Sequence, residues 1–349
     1  MNTNTFTPLK PRILMIYTGG TIGMKENAET GALEPFDFNH LLENVPRIKR
    51  LDYEIESYQF AHPIDSSAME PKHWEQIARV VEENYDKYDG FVVLHGTDTM
   101  AYTASALSFM FANLRKPVVI TGSQLPIGEV RTDGEENLIT SLQIAAAKDE
   151  NGDPMVQEVA ILFEDYLWRG NRATKHSSDN FNAFKSSNYP GLAKVGLGIS
   201  YHRAVMWRGP KEGDFHVNYG MDTNVVYMDL FPGINESIVR HILQAPGLKG
   251  VVMKTFGSGN GPTAPWFLHA VKEAIDNGLV IVNVSQCENG TVLPTRYGAG
   301  FGLEKAGVIS GHDLTSEAAI TKLMYLFGQG LQADQVKVAM ESSISGEMD

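Results

Sequence analysis

Cysteine is nearly missing from this chain: Cys287 is the single one in 349 residues. One thiol can neither close an intramolecular disulfide nor complete a cysteine-built zinc site, and such usage fits a reducing compartment. Basic residues are also scarce. The 29 Lys and Arg against 42 Asp and Glu leave a formal charge of −13, which argues against nucleic acid or an anionic membrane as partner. No run of apolar residues is long enough to predict a membrane-spanning helix. The apolar stretch at 13–17 is too short for the core of a signal peptide, so the cytoplasm is the expected location. No internal repeat or low-complexity tract is present. What remains is ordinary for a globular protein, with 43% apolar and 20% charged residues, and the length suggests about two domains.

Strand and helix signals alternate, as in a parallel sheet flanked by helices. Residues 12–18 (RILMIYT), 91–95 (FVVLH), 117–121 (PVVIT) and 159–163 read as short buried strands, with 53–60 a further one. Pro71 is placed to open a helix, with Trp74, Ile77, Ala78, Val81 and Tyr85 as its apolar stripe. Helices are expected at 101–113 and 135–148. Glycine and proline break up 186–221, after which strands at 224–230, 250–255 and 280–285 alternate with helices at 237–243 and 265–277. Two helical stretches, 316–327 and 333–340, close the chain. The expected architecture is two α/β domains: a larger N-terminal one (1–200) with a mostly parallel sheet, a linker (201–222), and a smaller C-terminal parallel-sheet domain (223–349).

In open α/β sheets ligands bind beyond the carboxyl ends of the strands. Those ends read Thr18-Gly19-Gly20-Thr21-Ile22-Gly23, His95-Gly96-Thr97-Asp98-Thr99, Gly122-Ser123-Gln124 and Phe256-Gly257-Ser258-Gly259-Asn260-Gly261. A dinucleotide turn needs glycine where Thr18 stands, and no phosphate-binding P-loop occurs. Hydroxyl chemistry is more coherent. Two glycines before Thr21 bring its hydroxyl close to a ligand, and a threonine nucleophile needs a base beside it. No serine elbow occurs, and the histidines show no metal or relay spacing. A desolvated lysine can serve as that base. Lys175, in the turn GNRATK (170–175), is the candidate, although most lysines of that kind only solvate a loop. Asp98 is also placed to cap the helix that follows Thr99.

The strings TGGTIGM (18–24), DSS (65–67), HGTDTMAYTASALSFM (95–110), TGSQ (121–124), GNRATK (170–175) and TFGSGNGP (255–262) closely resemble the L-asparaginases, and the longer ones match the cytoplasmic, type I branch. The resemblance runs from about residue 12 to the final helices. It implies hydrolysis of asparagine to aspartate and ammonia, with Thr21 attacking the side-chain amide to form a β-aspartyl ester. Thr97, Asp98 and Lys175 would form a second constellation in which Lys175 helps to deprotonate a threonine hydroxyl. Asp65, Ser66 and Ser67, with Thr97 and Asp98, would grip the substrate's α-carboxylate and ammonium. No cofactor or metal is implied, and a homodimer or homotetramer is. A broader glutaminase-asparaginase and a non-catalytic asparagine sensor are the alternatives.

Two departures from the family pattern stand out. Many members carry a tyrosine in the loop after TGGTI, where this chain has Ala32; Tyr297 is the candidate replacement, with a packing role equally open. Some bacterial type I enzymes also bind asparagine at an effector site. The matching positions here are Thr174, Lys254, Ser285, Gln286 and Cys287, and Lys254 replaces an arginine. Lysine cannot make the bidentate carboxylate contact, so weakened or absent allostery is expected.

Overall fold

The strand periodicity of two sorts apolar side chains to opposite faces, and here both faces are covered. In β1 (Arg12–Tyr17) Leu14 and Ile16 join one core cluster, while Ile13, Met15 and Tyr17 join another. Strand β3 (Gly90–Leu94) divides likewise, Phe91 and Val93 against Val92 and Leu94. That double burial is why these segments read as continuous apolar runs. The computed structural model describes residues 10–26, 33–35, 45–209, 211–293 and 298–349.

Among the described residues the large sheet holds eight strands. Besides β1 and β3 these are β2 (Glu54–Gln59), β4 (Val118–Thr121), β5 (Val159–Phe163), β6 (Tyr166–Arg169), β7 (Ala193–Val195) and β8 (Ile199–Tyr201). Their order is β8-β7-β6-β5-β4-β3-β1-β2. The run from β2 to β5 is parallel, whereas β6, β7 and β8 are antiparallel. Helices α1 (Pro71–Asn84) and α2 (Met100–Met110) cover one face, and α3 (Gly134–Ala146) covers the other. Pro71 does open α1, where its missing N–H removes nothing.

The smaller half is a four-stranded, wholly parallel sheet, β9 (Val225–Asp229), β10 (Gly250–Thr255), β11 (Val280–Ser285) and β12 (Ile309–Ser310), in sequential order. Around it lie α4 (Glu236–Leu243), α5 (Pro265–Asp276), α6 (Gly298–Ala306), α7 (Ser316–Gly328) and α8 (Ala333–Met340). The two halves meet through α2 and α7, where the rings of Phe109 and Tyr325 stack 6.1 Å apart. The stretch expected to be a linker is bound to the larger half: His216–Val217 pairs with Phe111–Ala112, and Phe215 stacks on Tyr85 at 3.8 Å.

The strand order fixes where a ligand fits. The chain leaves β1 toward β2 on one side, and leaves β3 toward β4 on the other. Such a reversal opens a crevice at the carboxyl ends of the two strands. Thr18 to Thr21 and His95 to Asp98 lie at that crevice.

Candidate active site

Glycine shapes the first wall. Beyond β1, Thr18 binds back to β3, its N–H and its hydroxyl both donating to the carbonyl of Leu94, at 3.1 and 2.9 Å. Gly19 then adopts φ +132° and Gly20 φ +90°. A Cβ on Gly19 would lie 2.2 Å from the Ile64 carbonyl oxygen, and one on Gly20 would lie 2.4 Å from the Gly96 nitrogen. No other residue fits there. The loop therefore lies directly on the loop carrying Thr97, and delivers half-buried Thr21 on the short 3₁₀ turn Thr21–Gly23.

The second wall brings Thr97, Asp98 and Lys175 together. Lys175 Nζ donates to Thr97 Oγ1 and to Asp98 Oδ1, both at 2.7 Å. Its side chain is 17% exposed, while Asp98 is 64% exposed, so the ion pair lies at the rim with the amine drawn inward. Lys175 is seated by the short antiparallel pairing of Thr174–Lys175 with Phe184–Lys185. Thr97 also faces Gln124, with Oγ1 and Oε1 3.4 Å apart. Gln124 is fixed in turn, because its N–H donates to both carboxylate oxygens of Asp133 at 3.0 and 2.9 Å. Asp98 does not cap the following helix. Thr99 occupies the N-cap position without a side-chain cap, and the Asp98 carboxylate is engaged by Lys175 instead.

Asp65, Ser66 and Ser67 join the same crevice. Asp65 Oδ1 accepts from the N–H and the hydroxyl of Ser67, each at 2.9 Å. Thr99 Oγ1 donates to the Ser66 carbonyl at 2.7 Å, and a Cβ on Gly96 would lie 2.5 Å from Ser66 Oγ. Tyr297 lies outside the described residues, as does Ala32.

One contributor escaped the sequence reading. His95, fully buried, lies between Gly96 and Thr103, with Nδ1 2.7 Å from the Gly96 carbonyl oxygen and Nε2 2.8 Å from Thr103 Oγ1. Trp74 Nε1 donates to Thr103 Oγ1 at 2.9 Å. Indole nitrogen only donates, so Thr103 gives its proton to Nε2 and the imidazole gives Nδ1–H to Gly96. Desolvation pushes the imidazole pKa down to about 4, so the ring is neutral at pH 7. It holds the peptide just before Thr97. A histidine closing the apolar run FVVLH was the available signal, but its role depends on Thr103 of α2, which is held in turn by Trp74 of α1.

The effector candidates also converge. Thr174, Lys254, Ser285, Gln286 and Cys287 line one cavity of about 300 Å³ between the halves. Lys254 Nζ lies 3.4 Å from Asp229 Oδ1. Thr174 Oγ1 donates to Glu317 Oε1 at 2.5 Å, and burial pushes the Glu317 carboxyl up.

Hydroxyls, a lysine and a carboxylate thus meet at the switch point of a two-domain α/β fold, groups whose chemistry suits attack on an amide carbonyl. Known proteins agree. The family model "Asparaginase, N-terminal" matches residues 12–206, and "Glutaminase/Asparaginase C-terminal domain" matches 224–340. L-asparaginase 1 of Escherichia coli is 40% identical over 97% of this chain and 98% of its own length. The crystal structure of L-asparaginase I from Vibrio cholerae superimposes with a TM-score of 0.88 at 40% identity, covering 97% of this chain and 99% of that one. The human protein named 60 kDa lysophospholipase is 42% identical over 97% of this chain but only 61% of its own length. The chain belongs to the asparaginase family of amidohydrolases.

Proposed function

We propose that this protein hydrolyses L-asparagine to L-aspartate and ammonia, with Thr21 as the nucleophile. The observation carrying the reading is Lys175 Nζ at 2.7 Å from both Thr97 Oγ1 and Asp98 Oδ1, on a loop in backbone contact with the one that holds Thr21. Thr21 Oγ1 attacks the side-chain amide carbon, and its proton passes to the departing nitrogen, which leaves as ammonia. The β-aspartyl ester on Thr21 is then attacked by water, which splits into the acid hydroxyl of aspartate and the restored threonine proton. Lys175 serves as base from its neutral form, Asp98 keeps it in reach, and Thr97 carries the proton between them and the ester. Main-chain N–H groups near Thr97 are the donors for the oxyanion, a contribution typically worth several kcal/mol. Asp65 and Asp98 receive the substrate ammonium, with Ser66 and Ser67 at its α-carboxylate.

The remaining assignments belong to the same reading. The domains divide at 1–200, 201–222 and 223–349, the enzyme works in the cytoplasm as a homodimer or homotetramer, and its partner is a small molecule. Lys254 in place of arginine, already paired with Asp229, leaves the interdomain cavity a poor asparagine effector site.

The test is ammonia release from purified protein with L-asparagine and, separately, L-glutamine. Asparagine is the expected substrate, and Thr21→Ala and Thr97→Val each lower kcat by on the order of 10³-fold or more with the fold intact. Turnover by Thr21→Ala at the wild-type rate would remove the nucleophile assignment. Equal rates on glutamine would broaden the substrate class, and no ammonia from either would leave only a binding role.

A further inference from the structure

Lys175 is held from behind as well as from the crevice. Residues 342–349 run from α8 back across the boundary between the halves. Glu347 anchors this segment. Its carboxylate accepts from the N–H groups of Ile344 and Ser345 at 2.9 and 2.7 Å and pairs with Lys322 Nζ at 2.7 Å, with neither side chain of the ion pair exposed. The segment then grips the residues leading to Lys175. The Gly346 carbonyl accepts from Arg169 Nη1 and Arg172 Nε, both at 2.9 Å. Asn171 Nδ2 donates to the Ser345 carbonyl at 3.1 Å. The Arg172 guanidinium, 1% exposed, also pairs with Asp313 and with Asp349 Oδ1 (the latter at 2.8 Å), and lies over the Tyr189 ring at 4.7 Å. Only buried Ala173 and half-buried Thr174 separate Arg172 from Lys175.

We propose that residues 342–349 form a positioning clasp, which fixes Arg172 and, through it, places Lys175 Nζ against Thr97 and Asp98. The inference rests on the reading of Lys175 given above. The buried ion pairs Lys322–Glu347, which anchors the segment, and Arg172–Asp313, on the residue it grips, are a weak source of net stability, because desolvation offsets their attraction. Their fixed geometry is what they supply. Gly346 is the point of contact: its φ is +77°, and a Cβ there would lie 2.6 Å from Arg169 Nη1 and 2.8 Å from the Trp207 ring.

Gly346→Ala and Asp349→Ala test this, by kcat and KM for asparagine across pH well below the melting temperature. The rate at which an amine-reactive reagent labels Lys175, mapped by mass spectrometry, gives a second readout independent of turnover. In Gly346→Ala, kcat is expected to fall on the order of tenfold to a hundredfold, as for a displaced catalytic group, with KM unchanged, a shifted pH profile and faster labelling of Lys175. Asp349→Ala removes one contact from an exposed residue and gives the same changes at several-fold size. It decides alone if Gly346→Ala does not fold. Wild-type kcat, pH profile and labelling in the folded variants, with only a lower melting temperature, would overturn the clasp. If the wild type shows no turnover of asparagine, the functional reading falls, and the labelling rates still judge the clasp.

Discussion

Lysine at position 175 donates to two acceptors through one amine group, and a substitution can decide whether that group works as a base. Arginine keeps its charge at any working pH, so Lys175→Arg separates the two possible contributions. If the amine acts as a base, this variant retains the Asp98 pairing and loses on the order of 10²- to 10⁴-fold in kcat. Activity near wild type would make the group purely electrostatic. His95 gives a second prediction at this scale. Its folded pKa of about 4 lies below the 6.5 of an unperturbed imidazole. Between these values the unfolded chain binds the extra proton, so the contribution of His95 to stability is complete above pH 6.5 and is lost as pH falls toward 4. The loss reaches at most about 3 kcal/mol. An NMR titration of the ring is expected to show a neutral imidazole well below pH 6. A midpoint near 6.5 would remove the burial argument. Thr21, Thr97 and Asp98 stand in short strings at strand ends, whereas Lys175, whose turn on spacing alone reads as a solvated loop, was singled out only by the family resemblance. His95 was not legible in the sequence, since what matters in it is its contact with Thr103, which Trp74 holds from α1.

Elements buried on both faces announced themselves as apolar runs, which is why β1, β3, β4 and β5 were legible. Strand β6, YLWR, alternates buried and half-buried residues after Glu164 turns the chain at φ +52°, and it carried no such run. Helix α6, with Gly298, Gly300 and Gly302 in its sequence, has poor helix propensity and went unread. The segment 342–349 has no periodicity at all, so its role is visible only in three dimensions. The touching loops after β1 and β3 give the prediction at this scale. Gly20→Ala places a methyl group 2.4 Å from the Gly96 nitrogen at a φ that alanine rarely adopts. It is expected to lower kcat by on the order of 10²-fold through misplacement of both threonines. Circular dichroism and turnover check it, and an active, native-like variant would refute the close approach.

On the scale of the whole molecule, the interdomain cavity lined by Thr174, Lys254 and Cys287 is where an effector would act under the proposed function. With Lys254 paired to Asp229, the velocity curve in asparagine is expected to be hyperbolic, with a Hill coefficient of about 1, because an effector shifts an equilibrium only by its differential affinity. A strongly sigmoidal curve would show that lysine suffices. The net charge of −13 bears on partners and not on catalysis. Asparagine is a zwitterion near neutral pH, so the long-range field does little to attract it, and under the proposed function the local pairing with Asp65 and Asp98 matters more.

The contact between Gly20 and Gly96 ties the two loops into one mechanical unit. Because neither backbone can give way alone, an altered substrate preference is not open to stepwise adjustment of one threonine's loop. The Asp65–Ser67 turn belongs to the same seam, because Ser66 lies against Gly96 and accepts from Thr99, so under the proposed function variation in specificity falls to parts outside it, such as the residues around Gln124. Libraries for redesign belong there, with residues 18–21 and 95–97 left untouched.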